Sequence, residues 1–193
     1  MENKSVISPE KRSRDIAGIL YEWCDALVYA LVIIIVLFTV FIKVTTVVGT
    51  SMINTLHERD ILIISKIGYQ PENGDIVVLA MDNDYFQEPI VKRIIAMGGE
   101  TVDIDFDTHE VKVTGTDGIT RVLEEDYILS ATATSADIAF PLEIPEGYMF
   151  VMGDNRNGST DSRDSRIGLI DERQILGHVV LRVLPIQDFG VVK

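Results

Sequence analysis

The feature that most limits what this chain can fold into is an uninterrupted apolar segment at residues 26–42. The segment contains no charged residue and is followed at once by Lys43. With the flanking Trp23 and Val44 it approaches the roughly 20 apolar residues that a membrane-spanning helix needs. Trp23 and Tyr29 suit an interfacial position, and Lys43 can extend its ammonium toward the head groups. The sequence therefore predicts one membrane anchor near the N-terminus.

The main alternative for this segment is a signal peptide that is removed after export. Such a peptide has a shorter leader, and small residues in an A-x-A pattern follow its apolar run. Here residues 43–48 read Lys-Val-Thr-Thr-Val-Val, so we expect a retained anchor. We assign residues 1–24 to an N-terminal tail, residues 25–43 to a transmembrane helix and residues 44–193 to a β-rich domain.

Charged residues on either side of the anchor predict its orientation. Four basic residues precede it, whereas Lys43 is the one that follows it closely; the four are Lys4, Lys11, Arg12 and Arg14. Because Lys and Arg are enriched on the cytoplasmic side of a membrane helix, we expect the N-terminus in the cytoplasm. The domain would then lie outside the cytoplasm, held at the cell membrane by a single span.

The residues beyond the anchor predict a mainly β domain of folded antiparallel sheets or a barrel. Short segments rich in Val and Ile alternate with Gly, Pro, Asn and Asp, which is typical of such folds. The predicted strands are 60–66, 75–81, 90–97, 101–105, 110–114, 148–152 and 178–184. A brief helix is expected near residues 171–175, and residues 105–145 could form an inserted hairpin region.

Composition excludes several classes of function. The net charge of -13 argues against nucleic acid as a partner, because phosphates need basic patches. The single cysteine, Cys24, precedes the anchor, so the domain has neither a disulfide nor a cysteine nucleophile. Metal-ligand spacing such as H-E-x-x-H is absent, and Asp103, Asp105 and Asp107 lack the glycine and glutamate of a calcium loop. We expect no metal and no cofactor.

A serine just beyond the anchor is the first candidate for catalysis. Ser51 lies in a short turn at residues 49–52, where it is placed to act on a chain that emerges from the same membrane. A Ser-His-Asp triad would use His57, His109 or His178 as its base. No local signature selects any of these histidines.

A lysine can replace histidine as the base if burial keeps its amine neutral near pH 7. Lys92 is the best candidate, because apolar residues flank it at 89–91 and 94–97. Strand alternation places Lys92 and Arg93 on opposite faces, so that Lys92 can lie in an apolar pocket while Arg93 stays in water. The alternative is an exposed edge lysine. The S-x-x-K pattern of penicillin-binding enzymes occurs only at residues 8–11, on the wrong side of the anchor.

A dense run of polar and charged residues, residues 153–166, follows an apolar strand. A loop fixed by Asp–Arg ion pairs, such as Asp161 with Arg163, would hold a hydroxyl beside a buried amine. Ser159 and Ser162 are the available hydroxyls. The alternative is a mobile loop of mixed charge.

Together these stretches resemble the type I signal peptidases, membrane-bound serine proteases that remove signal peptides from exported proteins. The resemblance spans nearly the whole chain and agrees in order and spacing. It rests on the anchor, residues 51–52, the Gly-Asp-Ile-Val-Val strand at 74–78, residues 92–93 and the Gly-Asp-Asn-Arg motif at 153–156 with the serine and Asp-Ser-Arg that follow. It implies signal peptides as substrates, with small residues at the first and third positions before the cut, and a lipid bilayer as the setting.

The resemblance also implies a role for each matching residue. Ser51 would attack the scissile carbonyl and form an acyl-enzyme, while Lys92 would take its proton and later activate water. Ser159 would hydrogen-bond the lysine amine and orient it. Asp161 and Arg163 would brace the loop through an ion pair.

Further positions would bind the substrate. The backbone N–H of Ser51 would donate to the oxyanion. Gly49 stands where some members carry a serine, so this chain would rely on backbone donors there. Apolar residues around Val47, Met52 and Val91 would line shallow pockets that reject larger side chains.

The sequence departs from the family pattern at two places. Asn54 stands where a proline usually follows the methionine of the serine motif, and residues 97–99 (Met-Gly-Gly) replace the usual Leu/Pro-Gly ending. Two other classes of protein stay open at this point. A self-cleaving repressor-type Ser/Lys peptidase would need a DNA-binding domain, and a membrane-tethered, non-enzymatic β module would have no reason to bring Ser51, Lys92 and Ser159 together.

Overall fold

The computed structural model describes residues 9–41, 43–81, 85–86, 88–134 and 137–192. The chain divides into two compact units, one up to residue 42 and one from residue 43 onward. The predicted N-terminal tail, together with Lys4 and the serine of the S-x-x-K pattern, lies partly outside the described residues.

The described residues of the first unit form one long α-helix, α1, which runs from Pro9 to Phe41. It begins earlier than the anchor predicted at 25–43, because proline is favoured in the first turn and the following Glu, Lys and Arg are good helix formers. Among the described residues α1 is the one helix long and apolar enough to cross a membrane. Its span Gly18–Val36 comprises 19 residues with a mean hydropathy of 2.1.

The second unit is built from short β-strands and two 3₁₀ helices. The strands are β1 (Lys43–Thr46), β2 (Ile61–Ser65), β3 (Ile76–Leu79), β4 (Ile90–Met97), β5 (Thr101–Asp105), β6 (Glu110–Thr114), β7 (Thr120–Val122), β8 (Leu142–Glu143), β9 (Tyr148–Met152), β10 (Ile170–Asp171) and β11 (Ile175–Leu184). The 3₁₀ helices are Glu172–Gln174 and Ile186–Asp188.

The strands form two antiparallel sheets, as the predicted mainly β fold requires. A seven-stranded sheet has the order β1-β2-β11-β3-β4-β9-β10, and a four-stranded sheet has the order β7-β6-β5-β8. The strands β6, β7 and β8 of the smaller sheet lie in the region that was predicted as an inserted hairpin. In the larger sheet β4 lies between β3 and β9 and is therefore paired along both edges.

Strand prediction succeeds where an apolar or alternating segment extends over five or more residues. The predicted limits of β4, β5, β6 and β9 agree with the structure, and the short helix expected near 171–175 is the 3₁₀ helix Glu172–Gln174. The strands that were not predicted are β1, β7, β8 and β10. They comprise two to four residues each, too few to show a period.

The strand β4 lies where three groups of buried apolar side chains meet. Val91 belongs to the first group, Ile95 to the second and Ile94 to the third. The interior of β4 is consequently buried on both faces. This corrects the expectation that Arg93 stays in water, because Lys92 and Arg93 are each only 3% exposed.

The glycine after β4 lets two segments of backbone approach closely. A Cβ placed on Gly98 would lie 2.8 Å from the Cα of Glu146 and 3.0 Å from the carbonyl oxygen of Pro145. Glycine replaces the family's usual residue at this position, and the close approach of the backbone is a packing reason for glycine in this fold.

We expect Gly98→Ala to lower the free energy of unfolding by about 1–3 kcal/mol, because backbone atoms cannot move aside as a flexible side chain can. Gly190→Ala is the matched control, since no heavy atom lies within 4 Å of its added Cβ. Urea unfolding of the detergent-solubilised chain measures both variants. Equal losses in the two would contradict the packing role of Gly98.

Candidate active site

The turn that carries Ser51 is anchored in the core by the residue that follows it. Met52 is 1% exposed and packs in the same apolar group as Val91. The backbone N–H groups of Thr55 and Leu56 donate to the Met52 carbonyl at 2.9 and 2.8 Å. This local helical turn fixes the direction in which the Ser51 side chain leaves the backbone.

The other side of the turn is held by the loop that follows β9. The Asn155 backbone N–H donates to the Ser51 carbonyl at 3.0 Å, and its side-chain amide donates to the Thr50 carbonyl at 3.1 Å. Gly153 allows this approach, because a Cβ there would lie 2.4 Å from the Ser51 carbonyl oxygen and 2.3 Å from Ser159 Oγ. The glycine of the Gly-Asp-Asn-Arg motif thus lets the loop pack against the serine turn.

The amine of Lys92 lies directly beside the Ser51 hydroxyl. Lys92 Nζ is 2.7 Å from Ser51 Oγ and donates to the Val91 carbonyl at 3.1 Å. A neutral amine at this position has a lone pair that can accept the Ser51 proton. The two residues that the sequence singled out, which are far apart in the chain, are therefore within hydrogen-bond distance.

The surroundings of Lys92 favour its neutral form. Burial lowers the pKa of Lys92 to about 8, although the carboxylates of Asp161 and Asp154 act in the opposite direction. With such a pKa about a tenth of the amine is neutral at pH 7, compared with a negligible fraction of an exposed lysine. The site therefore contains a base near neutral pH.

The predicted ion pair between Asp161 and Arg163 is confirmed. Arg163 Nε and Nη2 donate to the two Asp161 carboxylate oxygens at 2.8 and 2.9 Å, and both side chains are buried. Asp161 also accepts from the Gly153 N–H at 3.0 Å, and Arg163 donates to the Arg156 carbonyl at 2.6 Å. The pair closes the loop onto itself beside the serine turn.

The expected hydrogen bond from Ser159 to the lysine amine is not formed in this structure. The Ser159 hydroxyl is buried, and it has no hydrogen-bond partner among the residues that the structure describes. It lies beside Gly153, where an added Cβ would be 2.3 Å from Ser159 Oγ. The other candidate hydroxyl belongs to Ser162. The Ser162 backbone N–H donates to the Val151 carbonyl, and Ser162 Oγ accepts from the Val151 backbone N–H, so this residue attaches the loop to β9.

Arg93 forms the ion pair that sequence reasoning did not anticipate. Its Nε and Nη2 donate to the two carboxylate oxygens of Asp154 at 2.9 and 2.7 Å. Its Nη1 donates to the Gly74 carbonyl at 2.7 Å. A buried guanidinium requires such partners because its desolvation is otherwise unfavourable. The aspartate of the Gly-Asp-Asn-Arg motif was a visible candidate for a buried ion pair, but the sequence did not show that its partner is Arg93.

A cleft of about 520 Å³ opens onto the serine and the lysine. Its lining comprises Val48, Gly49, Thr50, Ser51, Tyr85, Phe86, Glu88, Pro89, Ile90, Val91, Lys92, Gly158 and Thr160. Of the predicted pocket residues, Val91 lines the cleft, whereas Val47 and Met52 do not. This corrects the assignment of Val47 and Met52, which are buried in the core and hold the turn from beneath.

The cleft also contains candidate donors for a developing oxyanion. Among the described residues no acceptor binds the Ser51 backbone N–H, so this group is available to a substrate carbonyl. Gly49 has a φ of +86°, a left-handed conformation that glycine adopts readily. The space where its Cβ would stand is open.

Two of the three histidines bind in other parts of the fold, and the third, His57, is exposed. His178 stacks on Tyr69 with ring centroids 4.2 Å apart, and its Nδ1 lies 2.8 Å from the Ser65 carbonyl oxygen. His109 Nδ1 lies 3.2 Å from the Thr132 carbonyl oxygen. Within the described part of the chain, no group of three or more His, Cys, Asp or Glu side chains is placed to hold a metal ion.

Known proteins similar to this chain were found by family, by sequence and by structure. Residues 20–184 match the family described as signal peptidase, peptidase S26. Signal peptidase I of Bacillus licheniformis is 34% identical over 178 residues, which cover 87% of this chain and 90% of the relative. Signal peptidase I S of Bacillus subtilis (strain 168) is 31% identical over 169 residues, covering 82% and 85%. A crystal structure of a signal peptidase I from Enterococcus faecalis V583 is 26% identical, with a TM-score of 0.45, and covers 57% of this chain and 97% of that one.

The buried amine predicts a specific effect on stability. The pKa of Lys92 falls from 10.5 to about 8 on folding, so the unfolded chain binds a proton more tightly than the folded chain. We therefore expect Lys92→Met to raise the free energy of unfolding at pH 7 by an amount on the order of 3 kcal/mol, since one pKa unit corresponds to about 1.4 kcal/mol. The difference should shrink between about pH 8 and about pH 10.5, where the wild-type protein gains stability.

Unfolding curves of both proteins at a series of pH values measure this difference. Lys66→Met is the control, because Lys66 is exposed and its replacement should change stability by less than about 0.5 kcal/mol at any pH. A Lys92→Met variant that is less stable than wild type at pH 7 would contradict the unfavourable burial of the ammonium.

Proposed function

Because this chain belongs to the signal peptidase family, peptidase S26, we propose that Ser51 and Lys92 perform its chemistry. The chain is a serine endopeptidase that removes N-terminal signal peptides from exported precursors. The observation that supports this assignment of residues is the 2.7 Å contact between Lys92 Nζ and Ser51 Oγ at the edge of the cleft.

Acylation begins with transfer of the Ser51 hydroxyl proton to the neutral amine of Lys92. The Ser51 oxygen attacks the carbonyl carbon of the scissile peptide, and the carbonyl oxygen becomes an oxyanion. When this intermediate collapses, the peptide C–N bond breaks and the Lys92 ammonium gives its proton to the leaving amine. The signal peptide is then held as an ester of Ser51, and the mature protein departs with a free N-terminus.

Deacylation repeats the same chemistry with water as the nucleophile. Neutral Lys92 takes a proton from a water molecule, the hydroxide attacks the ester carbonyl and the Ser51 oxygen leaves with the proton. The burial that lowers the pKa of Lys92 serves both half-reactions, because each one requires the amine to be free of its proton at the start.

The oxyanion is stabilised by backbone groups. We assign this role to the N–H of Ser51, which has no acceptor among the described residues. One preorganised donor of this kind typically contributes about 3 kcal/mol to the transition state. The φ of +86° at Gly49 shapes the adjoining turn, and its missing side chain leaves room for the carbonyl oxygen.

Three residues support the pair without touching the scissile bond. The Ser159 hydroxyl is buried close to Gly153 and the Ser51 carbonyl, and we assign it to orienting Lys92, as the family resemblance implies. Asp161 and Arg163 fix the loop that carries Ser159 through their buried ion pair.

The cleft selects substrates by size. We assign the positions before the cut to the surface around Val91, Ile90 and Val48, where short side chains of the substrate would fit against apolar walls. The family resemblance implies small residues at the first and third positions before the cut, and an extended strand would direct both of these side chains to the same face.

The membrane setting follows from α1. Its span Gly18–Val36 has the length and hydropathy of a membrane helix, and we assign it to anchoring the protein in the lipid bilayer. Because basic residues precede the span, we assign the N-terminus to the cytoplasm and the peptidase domain to the opposite side of the cell membrane.

Substitution at the pair should abolish processing of a precursor with alanine at the first and third positions before the cut. We expect Ser51→Ala and Lys92→Ala each to lower the rate at least about 1,000-fold, because either change removes a group that takes part in bond cleavage. Ser159→Ala should lower kcat about tenfold, since it affects only the orientation of the amine. His57→Ala should retain most of the rate. Gel analysis of cleavage by detergent-solubilised protein measures the series, and substantial cleavage by Lys92→Ala would overturn the assignment of the base.

The pH dependence of kcat/KM should report the titration of Lys92. Because the neutral amine is the active form, activity is low below its pKa and rises with pH to a plateau above it. The midpoint is expected near pH 8, where burial places the pKa of Lys92. Initial rates between about pH 6 and about pH 10, with stability followed over the same range, measure the profile. A midpoint near the value of a solvent-exposed lysine, or no rise at all, would contradict the proposed base.

A further inference from the structure

A segment outside the cleft makes an unusual number of contacts with the catalytic loop. This segment, residues 124–134, lies in the connection between β7 and β8, and we call it the connector. The Asn157 side chain bonds to four connector residues, since its oxygen accepts from Ala133 and Thr134 and its amide donates to Ser130 and Ala131. The connector is thus fastened to the loop by polar contacts along its length.

The strongest of these contacts is buried and charged. Arg156 is fully buried, and its two terminal nitrogens donate to the two carboxylate oxygens of Glu125. Arg156 also donates to the Thr132 hydroxyl at 3.2 Å. A buried bidentate pair fixes both the distance between the two side chains and their relative orientation. Glu125 therefore holds the connector in one position over the loop.

Tyr127 of the connector covers the Arg93–Asp154 ion pair. The guanidinium carbon of Arg93 lies 3.9 Å from the centre of the Tyr127 ring, and that of Arg156 lies 5.9 Å from it. Such cation–π contacts gain strength where the cation is removed from water. The Tyr127 hydroxyl donates to Glu125 at 3.1 Å, which ties the ring to the fixed end of the connector.

The ion pair under the ring links both catalytic residues. Arg93 is the neighbour of Lys92 in β4, so its ion pair helps to hold the part of the strand that carries Lys92. Asp154 accepts from the hydroxyl of Thr55, which belongs to the turn after Ser51. The next residue, Asn155, holds the Ser51 carbonyl. The buried Arg93–Asp154 pair therefore connects the strand that carries Lys92 with the turn that carries Ser51.

We propose that the connector is a positioning element for the Ser51–Lys92 pair, and that Tyr127 is a positioning residue that acts through Arg93 and Asp154. The proposal rests on the proposed function. Its physical basis is exclusion of water, because an ion pair open to solvent is weaker and samples more geometries than one that is covered. The described lining of the cleft contains no residue of the connector, so Tyr127 acts on the chemical step and leaves substrate binding unchanged.

The test compares three substitutions at Tyr127 in the full, detergent-solubilised chain. We expect Tyr127→Ala to lower kcat about tenfold and Tyr127→Leu about threefold to fivefold, with KM within about twofold of wild type. Tyr127→Phe should keep kcat within about twofold, because the ring face carries the cation–π contact. The substrate is a synthetic precursor peptide with alanine at the first and third positions before the cut.

Two controls separate positioning from general loss of stability. Tyr148→Ala removes a partly exposed tyrosine at the start of β9, and its kcat should equal that of wild type. Thermal unfolding of every variant identifies any that does not fold, and if Tyr127→Ala is one of these, the comparison of Tyr127→Leu with Tyr127→Phe decides. Equal kcat for those two variants, or an effect confined to KM, overturns the proposal. A wild-type protein that does not cleave the peptide would instead overturn the assignment of the active site.

Discussion

The structure depends on one contact, in which a buried amine lies 2.7 Å from a serine hydroxyl. A charged lysine is unfavourable in this position, because burial disfavours the ammonium and lowers the pKa of Lys92 to about 8. Two carboxylates lie close enough to act in the opposite direction, those of Asp154 and Asp161. Each of them forms a bidentate pair with a guanidinium, Arg93 in one case and Arg163 in the other. The carboxylates are thereby oriented toward arginine, and the amine has the Ser51 hydroxyl and the Val91 carbonyl as its polar partners.

The loop after β9 is the element that makes this contact possible. Its glycine, Gly153, lies against both the Ser51 carbonyl and Ser159, and the next residues bind the serine turn and the strand of the lysine. A loop with this many charged side chains would be mobile if the charges were solvated. Here the arginines at 156 and 163 are buried and paired. Removal of either partner would leave a buried charge without a counter-charge, which strongly destabilises the folded state. Removing any one member is consequently expected to disturb the whole loop.

Sequence reasoning predicted the longer strands of both sheets because each of them is an apolar or alternating segment of five or more residues. β4, β5, β6 and β9 could be delimited to the residue, and the short edge strands could not. The same reasoning failed at Arg93, because alternation gives the face of a side chain but not what covers that face. It also failed at Val47 and Met52, whose apolar character fits a core and a substrate pocket equally well. The Ser159 hydroxyl, which has no hydrogen-bond partner in the part of the chain that the structure describes, shows that a family motif identifies a residue without fixing its hydrogen bonds.

What the amino-acid sequence determined by itself is the set of local properties: the apolar span, the strands, the serine turn, and a lysine with apolar neighbours on both sides. Each of these follows from a period or a flanking pattern within a few residues. Only the tertiary structure decided which of them meet, since Lys92 becomes a base through burial and through its distance from Ser51. Both depend on chain segments far apart in sequence, including a connector whose composition gave no sign of its contacts. Electrostatics and hydrogen bonding depend on distance in space, and so the chemistry of this chain is a property of its packing.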